Sequence, residues 1–231
     1  MTKNIISTKA LRASRIGVFA ALYVATSLIP ISVFIGAPSF LALNLVMTPV
    51  IAILLLPIEA LFASLFGGII ALYIAPTQAM FGPYTILLPV AGATFGSLIY
   101  HKTKLGASIS ALFLAITISA YLIRNYPFPY FIIPHSLAIL VGLASSFKSM
   151  TPLRVKIPMY TFVSTMCEQG MMMIFAVHLL GLPWQAFPGI LPLMVYERVI
   201  GTIGAAFIVL GLARFAPMYF KAELSEFGVG K

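Results

Sequence analysis

The sequence predicts an all-α integral membrane protein, a bundle of about eight transmembrane helices with both termini cytoplasmic. Three observations carry this. Of 231 residues, 61% are hydrophobic and only 8% are charged, whereas a solvated globule carries about 25% charged residues. The apolar residues fall in runs long enough to cross a bilayer core of about 30 Å. Short groups of Lys and Arg punctuate those runs at alternate breaks, the pattern expected of cytoplasmic loops. Three regions follow: a basic leader over 1–15, one transmembrane domain over 16–215, and a polar cytoplasmic tail over 216–231.

The leader carries Lys3, Lys9, Arg12 and Arg15 ahead of an apolar run. A secretory signal has that outline, but the small residues around Gly36 and Ala37 make a weak cleavage site, and the charge count works best with the segment retained. Segment one covers about 16–30, with Gly17, Ala21 and Ala25 repeating every fourth residue, a stripe that lets helices approach closely. A turn at Pro38 and Ser39 leads into an apolar block over 40–75. At about 1.5 Å per residue this block is too long for one span and suits two, divided at Pro57 and Glu59 on the cytoplasmic side. An outer loop over 76–83 contains Pro, Gln and Gly. The span over 84–100 then returns to the basic group His101, Lys102 and Lys104.

Segment five, 105–123, ends at Arg124, and the aromatic run over 127–131 reads as an outer interfacial loop. Segment six, 128–147, leads to Lys148, Arg154 and Lys156. Two further spans lie between 157 and 215, joined by a loop over 181–188 whose Trp184 suits an interfacial anchor. With eight spans, every Lys and Arg except Arg124 and Arg198 falls inside or in the tails. Six spans satisfy the same count if one hairpin is re-entrant. The net charge of +9 is therefore topology, and no nucleic-acid partner is expected. The single Cys167 permits no disulfide and lies in an apolar span.

The last two spans carry the costly residues Glu168, His178, Glu197 and Arg198. A charge at bilayer depth is disfavoured by about 3 kcal/mol on insertion scales, so such residues face a bundle interior or a polar cavity. Stepping 100° per residue places Thr161, Ser164, Met171, Met172, Phe175 and His178 on the side of Glu168. Gly201, Gly204, Ile208 and Gly211 fall on the side of Glu197, which thus points toward protein, with Arg198 rotated to the flank. Two readings stay open: a substrate or ion site, or an ion pair that only locks helix packing. His135 and Asn44, each a lone polar group in the outer part of a span, and Arg124 at the outer rim complete the candidate substrate-binding set.

Several chemistries are set aside. No nucleotide-binding loop, zinc motif, nucleophile elbow or cysteine pair occurs, so no enzyme activity, cofactor or metal is expected. A solute site needs only a few convergent polar groups in an apolar and aromatic cavity. The mixture of Arg124, Arg198, His135 and His178 with Glu168 and Glu197 suits a zwitterionic or heterocyclic solute better than a simple ion.

The basic leader with Gly17, Ala21 and Ala25, the block around Pro57, Phe66, Gly67 and Gly68, and Gly82-Pro83 leading to Gly92 and Gly96 resemble the substrate-binding S components of energy-coupling factor (ECF) transporters. The resemblance covers roughly residues 10–145. It implies a multi-pass subunit in the cell membrane that captures a vitamin or similar micronutrient and docks on a transmembrane coupling subunit and two ATPases. It assigns Gly17, Ala21 and Ala25 to that docking. The family core has six helices, against eight counted here. The alternatives are a self-contained secondary transporter, with Glu168 or Glu197 carrying a coupling proton, and a structural subunit without ligand. No internal repeat supports the former.

Overall fold

The computed structural model describes residues 2–34, 39–147 and 152–215. Gly36, Ala37 and Pro38, Lys148 and the expected tail over 216–231 lie outside the described residues.

Eight helices form among the described residues: α1 (Thr2–Ser27), α2 (Asn44–Leu54), α3 (Pro57–Ile74), α4 (Leu87–His101), α5 (Thr103–Asn125), α6 (Ile133–Phe147), α7 (Leu153–His178) and α8 (Phe187–Phe215). Among the described residues five apolar stretches are long enough to cross a membrane: Pro57–Ile74, Gly82–His101, Lys104–Asn125, Pro129–Ser146 and Trp184–Phe215. The chain is thus an all-α, multi-pass membrane bundle. α1 and α7 fall short on polarity, since both carry charged residues, and the 11 residues of α2 extend only about 16 Å.

The breaks follow local chemistry. Pro57 opens α3, where its missing N–H removes no helical bond, and the Glu59 carboxylate accepts the Leu56 N–H at 3.4 Å. Between α3 and α4 the chain makes two short 3-10 turns, Pro76–Gln78 and Gly82–Ile86. Gly82 there adopts φ +56°, a conformation that costs glycine little.

α4 and α7 form the central pair. α2 and α8 pack beside them, α1 and α3 lie on one flank, and α5 and α6 on the other. Contact is close where side chains are small, the usual device for helices in lipid. A Cβ on Gly96 would lie 2.6 Å from the Cβ of Ser164, and one on Gly201 would lie 2.6 Å from Cδ1 of Leu45. Hydroxyls bond across the same seams: Ser164 donates to the Gly92 carbonyl at 2.9 Å and Ser97 to the Leu55 carbonyl at 2.6 Å.

Two elements add to the sequence expectation. α1 is continuous from Thr2 and takes in the described part of the basic leader. Arg12 and Arg15 each approach Glu59 at 3.5 Å, and Arg15 also donates to the Leu54 carbonyl, which holds these turns against the start of α3. Ser39, expected in a turn, instead opens β2 (Ser39–Ala42) of a two-stranded antiparallel hairpin with β1 (Pro30–Phe34). Its register pairs Pro30 with Ala42 and Phe34 with Ser39, with a bulge between Pro30 and Ser32. Leu41 from this hairpin packs with Met80, Phe81, Leu88, Met172 and Ala176. The hairpin and the 3-10 turns therefore cap the end of the bundle away from the basic residues.

Candidate functional site

α7 and α8 cross beside α2 and α4, and their facing sides carry the polar groups. Thr161 Oγ1 donates to the Thr202 carbonyl at 3.2 Å, and the hydroxyls of Thr165 and Thr202 lie 3.2 Å apart. One turn toward the capped end, Arg198 Nη1 donates to the Thr165 carbonyl at 3.3 Å, and Nη2 stands 3.8 Å from Glu197 Oε2. Glu168, in the middle of α7, feels both Arg198 and Glu197 and lies within hydrogen-bonding reach of the Thr48 hydroxyl. His135 on α6 turns its Nδ1 to the Phe131 carbonyl at 3.3 Å and also feels Arg198. Glu168, Glu197, Arg198 and His135 thus form one buried cluster, none of them more than 6% exposed.

The cluster is incompletely satisfied by protein. Glu168 Oε2, Gln169 Oε1, His135 Nε2 and the Nε and Nη2 of Arg198 are buried and have no hydrogen-bond partner within the protein. Buried polar atoms are paired in the great majority of cases, so this many in one place is unusual. Of this cluster Gln169 and Glu197 line a cavity of about 20 Å3, together with Phe131, Phe187, Met172 and Met194, whereas Glu168, Arg198 and His135 do not reach it. Its volume accommodates about one water. Its walls are adaptable on one side and rigid on the other. Met172, Met173 and Met194 have flexible, polarizable side chains, whereas Tyr121, Phe131 and Phe187 interlock, with Phe131 and Phe187 edge to face at 4.8 Å.

Asn44 opens α2 next to this cluster. Its Nδ2 donates to Gln78 Oε1 at 3.1 Å, and it lines a small pocket together with Tyr23 and Gln78. Thr48, one turn on, contacts both the Asn44 carbonyl at 3.4 Å and Glu168. A polar path therefore runs from Gln78 through Asn44 and Thr48 to Glu168. Comparison with protein-family models, curated proteins and solved structures gives no match.

The remaining candidates lie elsewhere. Arg124 and His178 are exposed and tie α5 to α7: Arg124 Nη1 donates to the Val177 carbonyl at 3.3 Å, and His178 Nε2 lies 3.0 Å from the Ala120 carbonyl. His178 shares an angular face with Glu168 but sits ten residues further along α7, about 15 Å away along the axis, beyond the cluster. Arg198 departs from the flank position expected of it and is 2% exposed, because α8 has protein on two sides, α2 and α7, and the long guanidinium stem reaches Thr165. Phe131, read as an interfacial aromatic, is 1% exposed, whereas Tyr126 and Tyr130 of the same loop are 73% and 60% exposed.

Sequence reasoning passed over Gln169, Thr48, Thr165, Tyr23 and Gln78. Two of them carried a local signal, Gln169 by adjoining Glu168 and Thr48 by standing four residues after Asn44 on one face. Gly17, Ala21 and Ala25 lie on the exposed side of α1, whereas Ala20, Tyr23 and Ser27 face the bundle. Among the described residues no group of His, Cys, Asp or Glu is arranged to hold a metal ion.

Proposed function

We propose that the chain is the membrane-embedded substrate-binding subunit of an uptake system for a small organic micronutrient, powered by a separate coupling and ATPase module. The observation that carries the reading is the buried set of two carboxylates and one guanidinium, with unpartnered polar atoms, beside a Met- and Phe-lined cavity. Such a set offers acceptors for an amine or ring N–H and donors for a carboxylate or carbonyl. It therefore suits a zwitterionic or heterocyclic solute. Vitamin-sized ligands occupy about 300–1,000 Å3, so binding requires the methionine side chains and the helices bearing them to move apart. In this reading the basic end faces the cytoplasm of a cell membrane and both termini lie there. The exposed stripe of Gly17, Ala21 and Ala25 then meets the coupling subunit.

The test uses purified full-length protein. Copurifying small molecules are identified by mass spectrometry and titrated against wild type and Arg198→Ala. The variant should bind about 2 kcal/mol more weakly, roughly thirtyfold, because a charge-assisted contact is lost. Equal affinities would return Glu197 and Arg198 to a purely packing role.

One observation favours a second reading. Glu168 is a mid-membrane carboxylate with an unpartnered oxygen, which is what a proton relay in a self-contained secondary transporter requires. Proteoliposomes holding this chain alone separate the two. Uptake driven by a pH gradient and abolished in Glu168→Gln would support the relay, whereas a need for partner subunits and ATP would support the binding subunit.

A further inference from the structure

At the basic end of the bundle a cavity of about 570 Å3 lies between α1 and α8, floored by Ile53 and Leu54 at the end of α2. α1 packs on α3 and α2, α8 packs on α7 and α2, and neither packs along the other, so the crevice opens sideways. Its lips are apolar and exposed, Val18 at 53% and Leu212 at 40%, and Leu212 belongs to a stretch long and apolar enough to cross a membrane. Arg15 and His101 stand at its polar mouth.

The charge at that mouth is unbalanced. Arg15 at the mouth shares a single carboxylate, Glu59, with Arg12, which pairs with it from outside the crevice, each at 3.5 Å, and this leaves one positive charge in excess. Lys9, Lys102, Lys104, Arg154, Lys156 and Arg214 belong to the same end, and Glu59 is the one acidic residue there among the described residues. A crevice that is apolar along its length, open to lipid and cationic at its mouth selects an amphiphile with an anionic head. Basic pockets between transmembrane helices bind acidic lipid head groups for this reason.

We propose that this crevice holds one acidic phospholipid, its phosphate beside Arg15, which Arg12 leaves with only a share of Glu59, and one acyl chain along Val18 and Leu212. The volume lies within the range of small-molecule sites and takes the head group and the upper part of one chain, the rest of the chain running along the exposed face of α1. The site is separate from the Glu168 cluster and does not depend on the function proposed for it.

The first measurement is lipid binding to the detergent-purified full chain by native mass spectrometry, comparing phosphatidylglycerol with phosphatidylcholine. Phosphatidylglycerol should bind more tightly. Arg12→Gln, an exposed position, should weaken it about fivefold, the effect of removing one cation near a lipid surface, and leave phosphatidylcholine unchanged. Equal binding of the two lipids, or a preference untouched by Arg12→Gln, would overturn the proposal. So would inorganic phosphate displacing the lipid completely at millimolar concentration, which would mean a simple anion site. A photoreactive phenylalanine analogue in place of Ser14, which lines the crevice, then identifies the occupant in native membranes. A phospholipid adduct is the expected product. Adducts to residues 216–231 or to a second copy of the chain would refute it.

Discussion

Gly96→Ala probes a close helix contact behind the candidate site. A methyl group there would stand 2.6 Å from both Cβ and Oγ of Ser164 and 2.8 Å from Cβ of Ala52, where ordinary contact begins at 3.4 Å. The shortfall from Ser164 is about 0.8 Å (3.4 − 2.6), and overpacked cores do not absorb such a gap without shifting backbone. Two of the three obstacles are Cβ atoms, which no rotamer change can swing aside, so α4 must move away from α2 and α7. Overpacking of this kind costs about 1–3 kcal/mol. Stretching the neighbouring Ser164 to Gly92 hydrogen bond, 2.9 Å long, adds about 1 kcal/mol. At about 2–4 °C per kcal/mol for a chain of this size, a loss of about 3 kcal/mol lowers the melting temperature by roughly 6–12 °C. Thermal unfolding of the detergent-purified protein measures it. Gly211→Ala is the control, because a Cβ at that position meets nothing within 4 Å and Ala favours the helix by about 1 kcal/mol over Gly. It should be neutral or stabilising. A Gly96→Ala protein that melts with wild type, or a Gly211→Ala protein that loses as much, would refute the packing argument.

Four further outcomes are expected. Glu197→Leu and Arg198→Met should each destabilise by about 3–5 kcal/mol, because each leaves the other charge buried, while the double variant recovers most of the loss; additive losses in a double-mutant cycle would mean that the pair is not coupled. Arg124→Ala should leave ligand affinity unchanged, since Arg124 reaches only the Val177 carbonyl on the exposed α5–α7 seam; a strong loss would bring it into the binding site. Lys102 precedes α5 and Arg124 lies in its last turn, about 33 Å further along the helix, so single cysteines placed there in a Cys167→Ser background should label from opposite sides of the membrane, and labelling from one side would break the proposed topology. Ala21→Trp, on the exposed face of α1, should block assembly with a coupling subunit while leaving solute binding intact; the reverse pattern would make α1 a pocket wall.

Much of this was legible without coordinates, because the relevant signals are local. A proline and a glutamate within an apolar block end one helix and start the next, and the structure breaks at Leu55 and Leu56 as Pro57 and Glu59 require. Glu168, Glu197 and Arg198 stand out in any apolar run, since the cost of a charge in lipid does not depend on the rest of the fold. The small residues Gly201 and Gly204 signalled close helix contact, though not which helix each one meets.

The sequence by itself determined the membrane class, the helix breaks and the charged residues that must be shielded. Only the tertiary structure decided which of those residues meet. It drew Arg198 inward to Thr165, left His178 and Arg124 on a rim, turned Phe131 into the cavity wall, added Gln169 and Thr48 to the cluster, and opened the crevice between α1 and α8. The physical reason is that lipid is as apolar as a protein core. In water, hydrophobic periodicity points a helix toward its partners. In a bilayer the face toward lipid and the face toward protein carry the same residues, as on α8, where Val199 and Phe207 are exposed and Ala205 and Val209 are buried. Angular position around one helix axis then says nothing of depth or neighbour, and both are settled only when the helices pack.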